Sequence, residues 1–437
     1  MQSRELRISR RSFLGRSAMA AGGGLVSLTA LGRLGAREAA AASGEALTGG
    51  GYGPLGPVAP ANDPGGFPIL ALPAGFSYVA FSAIGETMSD GNPVANNLDG
   101  MAAFAYPGEP HVVRLIRNHE DRAQPALGSV LGPAGTRYDA NGGGGNTTLD
   151  YDEQTRTLVR DFISLNGTIV NCAGGIGYGF QSWLTCEETT ASAGGGNALG
   201  WARNHGYVFQ VPLNLPPSTT ATAVPIPEMG RFAHEAVAVD QSTGLVYLTE
   251  DAGSGSGSGF YRFIPDDPTN LFAGGRLQML GINNRPHYDA RQGQRVGRQL
   301  SVGWFDIDDP DPANASNSSP ERVFTQGFTQ GGATFNRLEG CWWDGGSVFF
   351  VSTSGGDVKN GDVNADSFAE GYGQVWEYRP TGRSAASSGS SSSPPVPACS
   401  TRRTISPSPR AGGSSSARTT PAPTTATRIR WRRASPT

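Results

Sequence analysis

Acidic clusters recur beside apolar runs along this chain. Trp183-Leu-Thr-Cys186-Glu187-Glu188 joins a thiol and two carboxylates to one such run, and Gly230-Arg-Phe-Ala-His234-Glu235-Ala236 sets His and Glu just before another. Tyr247-Leu-Thr-Glu250-Asp251 and Arg117-Asn-His119-Glu120-Asp121 each end a run in acids, and Asn336-Arg337-Leu-Glu339-Gly340 leads into a Trp-rich one. Carboxylates gathered around one pocket repel and raise each other's pKa unless cations sit among them. Hard cations prefer carboxylate oxygen, and a thiolate adds preference for a transition metal. Taken singly, each feature has a plainer reading. Acid pairs at strand ends are solvated turns, and a lone Cys186 is a small core residue. His119 and His234 are structural hydrogen-bonders, and Asn118, Asn146 and Asp150 are turn residues. Joint recurrence, not any one residue, points to a metal site.

The elements that must position these groups read as short strands. Alternating or apolar runs include His111–Arg117, Thr147–Tyr151 with Thr157–Phe162, Gly206–Val211, Ala236–Val239 with Gly244–Thr249, Gly259–Ile264, Leu300–Phe305, Cys341–Trp343 with Ser347–Ser352, and Gln374–Tyr378. Turn chemistry separates them, and no 3.6-residue periodicity of helix length follows the N-terminal region. Two stretches repeat one theme of strand, Asp/Gly turn, apolar strand and a further strand: Val237–Phe263 and Gly340–Tyr378. Recurring hairpins of this kind predict an all-β fold, a β-propeller, with a large β-sandwich as the alternative. In a propeller, strand ends converge on one face around the axis, so acid-bearing loops from distant positions would surround one pocket.

Composition agrees. Gly 63, Pro 31 and 16% charged residues suit a turn-rich β protein. The net charge of −3 hides a segregation: residues 1–42 carry +5, residues 383–437 carry +9, and residues 43–382 therefore carry −17. An acidic body with Lys359 as its one lysine does not bind nucleic acid. Ser9-Arg10-Arg11-Ser12-Phe13-Leu14, the apolar run Ala18–Leu31 and Ala39–Ala42 form a twin-arginine signal peptide over 1–42. Its apolar run is too short and Gly-rich for a membrane span. The twin-arginine export machinery would deliver a folded protein to the periplasm or beyond. Cys172, Cys186 and Cys341 in the body leave at least one thiol unpaired, and metal ligation is one reason to keep it. Residues 43–75 read as an N-terminal arm and 76–382 as the propeller domain.

With these motifs in hand, the chain resembles the PhoX-type alkaline phosphatases. The resemblance rests on Cys172-Ala-Gly-Gly with Trp183-Leu-Thr-Cys186-Glu187-Glu188, Gly230-Arg-Phe-Ala-His234-Glu235-Ala236, Tyr247-Leu-Thr-Glu250-Asp251 and Arg337-Leu-Glu339-Gly340, and runs from Phe76 to Tyr378. It implies a six-bladed propeller holding ferric iron (Fe3+) and Ca2+ and hydrolysing small phosphate monoesters, as a monomer. It implies Cys186, Glu235 and Glu339 as iron ligands, with Asp99 a further one. Glu187, Glu188, Glu120, Glu250 and Asp251 would bind calcium or support its ligands. Arg337 would hold the substrate phosphate through a charge-assisted fork. The alternatives are a calcium-dependent propeller hydrolase of lactones or other esters, and a non-catalytic or inactive propeller.

The last alternative comes from the tail. After residue 382 the sequence turns Ser/Pro/Arg/Ala/Thr-rich and is expected to be disordered. Back-translated into GC-rich codons and read two bases later, Ala398–Arg410 can spell Val-Leu-Asp-Ser-Pro-Asp-Asn-Leu-Thr-Val-Ser-Pro-Arg. Residues 414–420 and 388–393 give similar strand-like or acidic segments in the same shifted frame. An out-of-frame tail from about residue 383 would leave the C-terminal closing blade incomplete.

Overall fold

The computed structural model describes residues 52–194, 200–253, 255–295, 297–356, 358–363, 369–371, 373–380 and 428–432. The expected signal peptide, the start of the arm and all but five residues of the tail lie outside them.

A hairpin of β1 (Leu55–Val58) and β2 (Leu70–Pro73) comes first. Four blade-like antiparallel units follow. The first is β3 (Leu98–Ala105), β4 (Val112–His119), β5 (Gly144–Asp152) and β6 (Thr157–Thr168). The second is β7 (Asn171–Ile176), β8 (Ser182–Glu187) and β9 (Val208–Pro212). The third is β10 (His234–Val239), β11 (Val246–Glu250), β12 (Phe260–Pro265) and β13 (Gly275–Ile282), with β14 (Gln299–Asp306) paired on its outer edge. The fourth begins with β15 (Leu338–Trp343) and β16 (Val348–Ser352), then, after the hairpin β17 (Val358–Val363) and β18 (Ala369–Gly371), continues with β19 (Gln374–Arg379). The fold is all-β and propeller-like.

Two features differ from the sequence reading. Among the described residues an α-helix, α1 (Val323–Gln330), forms where no helical periodicity is legible; it lasts eight residues and stops at Gly331, whose φ of 119° suits glycine. In the tail expected to be disordered, Arg428–Arg432 forms β20, paired with both β14 and β19. Its Arg-Ile-Arg-Trp-Arg alternation has the period of a strand.

The inner strands β3, β7, β10 and β15 lie side by side. Close approach there demands small residues. A Cβ on Gly100 would lie 2.7 Å from both the Cys172 carbonyl oxygen and the Ala173 Cα, and one on Gly175 would strike the Val237 carbonyl. Away from this axis the units pack through apolar layers. Tyr247, Phe260, Phe335, Phe350, Trp376 and Tyr378 share one core, with Phe260 and Phe350 stacked 4.0 Å apart.

Candidate metal centre

Each inner strand begins with the same irregularity. Leu98 pairs with His119, Asn171 with Glu187, His234 with Glu250 and Leu338 with Ser352; in every case the register then shifts before regular pairing resumes. Such a bulge re-aims the residue it contains. The residue after each first partner is Asp99, Cys172, Glu235 or Glu339, and the next is always small: Gly100, Ala173, Ala236 or Gly340. The residue after each second partner is Glu120, Glu188, Asp251 or Thr353. Four units thus deliver two equivalent positions each.

These positions converge. A ligand atom from each of Cys172, Glu188 and Glu235 lies within 4.8 Å of the other two. The Cys172 Sγ donates to Glu235 Oε2 at 2.9 Å. Asp251 and Glu339 continue the group, joined by Arg337, whose Nη2 donates to Asp251 Oδ2 at 2.8 Å and Glu339 Oε1 at 3.4 Å. Thr353 Oγ1 donates to Glu339 Oε1 at 3.3 Å. At the other rim, Arg122 Nη2 bonds both Glu120 and, at 3.0 Å, Glu188. Asp99 is exposed there beside Glu120, with Oδ1 accepting from the Gly100 amide at 2.7 Å.

Burial and like charge act together on the acids. Burial, then Glu339, Glu188 and Asp251, push Glu235 up to about 9, against the Cys172 hydrogen bond. Burial and Asp251 raise Glu188 to about 7, against Arg122. Burial and Asp251 raise Glu339, and partial desolvation, with Glu120 beside it, raises the more exposed Asp99. Among the described residues Asp251 Oδ1 is buried with no hydrogen-bond partner. A group of acids repelling one another, with an orphaned carboxylate oxygen and one sulfur, fits cations.

The structure revises several sequence expectations. Cys186, expected as the sulfur ligand, is fully buried among Leu184, Val208, Ile226 and Met229, because alternation along β8 turns it into the core with Leu184. Cys186 feels the Glu235 charge from there, but the thiol that bonds an acid directly is Cys172. Glu187 and Glu250 are also turned away from the group, each the neighbour of a residue that reaches it. Glu187 spends both oxygens on the Ile169, Gly206 and Tyr207 amides and on His205 Nδ1 at 2.7 Å. Glu250 Oε2 accepts from the Gly259 amide and the Tyr261 hydroxyl. His119 and His234 are buried and lowered by that burial to about 4 and about 3.

Asn118 and Asn146, expected in turns, lie buried inside β4 and β5. Asn118 Nδ2 donates to the carbonyls of Cys172 (3.0 Å) and Ala173 (2.7 Å). Its Oδ1 accepts from Asn146 Nδ2, Trp183 Nε1 and Thr185 Oγ1. Asp150 is likewise buried, in a two-bond pair with Arg114 at 2.7 and 2.8 Å. Arg337 adopts φ 41°, and the equivalent residues before two other bulges, Asn97 and Val170, share the left-handed region at 52°. Such backbone strain gathers at functional sites.

The family model "Alkaline phosphatase PhoX" matches residues 51–159 and 153–393. Among solved structures, the chain is similar to Pseudomonas fluorescens PhoX in complex with vanadate, a transition-state analogue, at 18% identity and a TM-score of 0.45. That match covers 65% of this chain and 63% of that one, so this chain spans less than two thirds of its length. A Bacteroides uniformis protein provisionally named a 6-phosphogluconolactonase matches at 12% identity and a TM-score of 0.26, over 66% and 68% of the two chains. No curated protein sequence matches. With its family model covering well over half the sequence, the chain belongs to the PhoX alkaline phosphatase family.

Proposed function

We propose that this protein hydrolyses small phosphate monoesters at a cation cluster held by Cys172, Glu188, Glu235, Asp251 and Glu339, with Glu120 and Asp99 at its rim. The observation that carries this is the meeting of Cys172, Glu188 and Glu235 at ligand distance. A mixed sulfur and carboxylate set favours a transition metal such as ferric iron, and the all-oxygen rim favours Ca2+. Bound there, the cations would neutralise phosphoryl oxygens as charge develops on them. The protein's own part is to place the substrate. Arg337, half-exposed at the edge of the cluster, aims a planar fork that suits two phosphoryl oxygens. Asn118 holds the Cys172 and Ala173 carbonyls, and the Val170 carbonyl holds the Glu188 amide, so that the ligands need not reorganise.

The same reading takes residues 1–42 as the export signal and the tail as out of frame. Among the described residues no helix is long and apolar enough to cross a membrane. The deciding assay is turnover of p-nitrophenyl phosphate by protein loaded with iron and calcium. Turnover that is lost with chelator and recovered on re-addition supports the reading. Fully loaded protein that cleaves no phosphomonoester refutes it. Turnover of a lactone instead would favour the calcium-dependent propeller hydrolase.

A further inference from the structure

The acid cluster has a second guanidinium whose placement mirrors that of Arg337. Arg122 follows β4 by three residues, and its side chain is 62% exposed. Like Arg337, it cross-links two carboxylates of the cluster through Nη2, here Glu120 and Glu188. Both arginines feel the charge of Glu188, Arg122 by a direct bond and Arg337 from its place between Asp251 and Glu339. Both bonds use one nitrogen, and among the described residues the N–H groups on Nε and Nη1 make no hydrogen bond, which suits them to an anion.

The turn that carries Arg122 is built rather than loose. Asp121 Oδ1 accepts from the Ala123 amide at 2.8 Å, and its Oδ2 accepts from Ser129 Oγ at 2.6 Å. The Asp121 carbonyl accepts from the Val170 amide, and the Glu120 amide donates to the Asn97 carbonyl, both at 2.9 Å. Around it lies a shallow, open depression lined by Asn97, Glu120, Asp121, Arg122 and Ala123. A phosphate dianion approaching this acidic face is repelled until positive charge meets it, and the Arg122 guanidinium at the depression supplies that charge at short range.

We propose that Arg122 is a substrate-binding residue of this site, gripping the phosphoryl oxygens of a phosphomonoester together with Arg337. The proposal rests on the phosphatase reading but is separable from it. Its test compares wild type with Arg122→Ala and Arg122→Lys in the metal-loaded full chain. Three quantities are read: steady-state constants on p-nitrophenyl phosphate, calorimetric binding of inorganic phosphate, and bound metal. In Arg122→Ala, KM and the phosphate dissociation constant should rise about tenfold, as for loss of one charge-assisted contact. The loss should fall on KM more than on kcat, with metal content unchanged, and Arg122→Lys should recover part of it. Unchanged KM and phosphate affinity would overturn the proposal. So would loss of metal in step with kcat, which would make Arg122 a tie between Glu120 and Glu188. If wild type binds phosphate without turnover and Arg122→Ala weakens that binding, the grip stands and the phosphatase reading falls. If wild type binds no phosphate, both fall.

Discussion

Cys172 and Glu235 stand 63 positions apart and meet side chain to side chain, Sγ to Oε2 at 2.9 Å. Each is the residue re-aimed by the bulge that opens its inner strand. A thiol this buried, facing carboxylates, is pushed well above its ordinary pKa. Only a cation in the group would make the thiolate the stable form there.

Cys186 is the natural control. It is equally buried but packed among apolar side chains. Cys186→Ala should keep bound metal and turnover while lowering stability by about 1–2 kcal/mol, as for a small core truncation. Urea unfolding and elemental analysis check both halves.

Metal-free protein should resent alkaline pH. An unfolded Glu titrates near about 4.3, whereas Glu235 in the folded chain is held up to about 9, first by burial and then by Glu339, Glu188 and Asp251. Between those values the folded state keeps a proton that the unfolded state has released, so this group lowers stability as pH rises, at up to about 1.4 kcal/mol per pH unit. Glu235→Gln removes the effect. The stability difference in favour of Gln should therefore grow from about pH 4.5 to about pH 9 in chelated protein. A pH-independent difference would show that Glu235 is not held protonated.

Asn118→Ala should be costly. It would leave the Cys172 and Ala173 carbonyls, Trp183 Nε1 and Asn146 Nδ2 without the partner they share. Buried orphaned groups cost about 1–3 kcal/mol each, so a loss of at least about 3 kcal/mol is expected. Thermal unfolding measures it, and a change under 1 kcal/mol, roughly that of a surface substitution, would contradict the packing.

Gly100→Ala tests the close approach of β3 and β7. Its Cβ would lie 2.7 Å from backbone atoms of Cys172 and Ala173, which cannot swing aside as a side chain would. Overpacking of this kind costs about 1–3 kcal/mol. Here it should also displace the sulfur and reduce bound metal.

The outer parts of the units were legible in the sequence, the inner strands less so. Val112–His119, Phe260–Pro265 and Gln374–Arg379 alternate or run apolar and were read as strands. Leu98–Ala105 and Asn171–Ile176 were not, because the axis demands Gly and Ala where a strand normally shows bulk, and the bulges insert polar residues where it shows apolar ones. The same physics misdirected the sulfur assignment. The His-Glu-Ala and Arg-Leu-Glu-Gly motifs contain Glu235 and Glu339, which lie in the acid group, whereas Cys186 adjoins Glu187 and Glu188 in sequence but alternation turns it inward. Superposing Leu98-Asp-Gly, Asn171-Cys-Ala, His234-Glu-Ala and Leu338-Glu-Gly as one repeat would have singled out Cys172, and would have found Thr353 opposite Glu339. Asn118 carried no such signal: an Asn in a strand reads as a turn until its buried partners are known.

Elemental analysis of purified wild type beside Cys172→Ser and Cys186→Ser tests the central claim most directly. The account expects wild type and Cys186→Ser to retain a transition metal through dialysis and Cys172→Ser to lose it. Retention of that metal in full by Cys172→Ser, or its loss only from Cys186→Ser, would contradict a cation held where Cys172 meets Glu188 and Glu235.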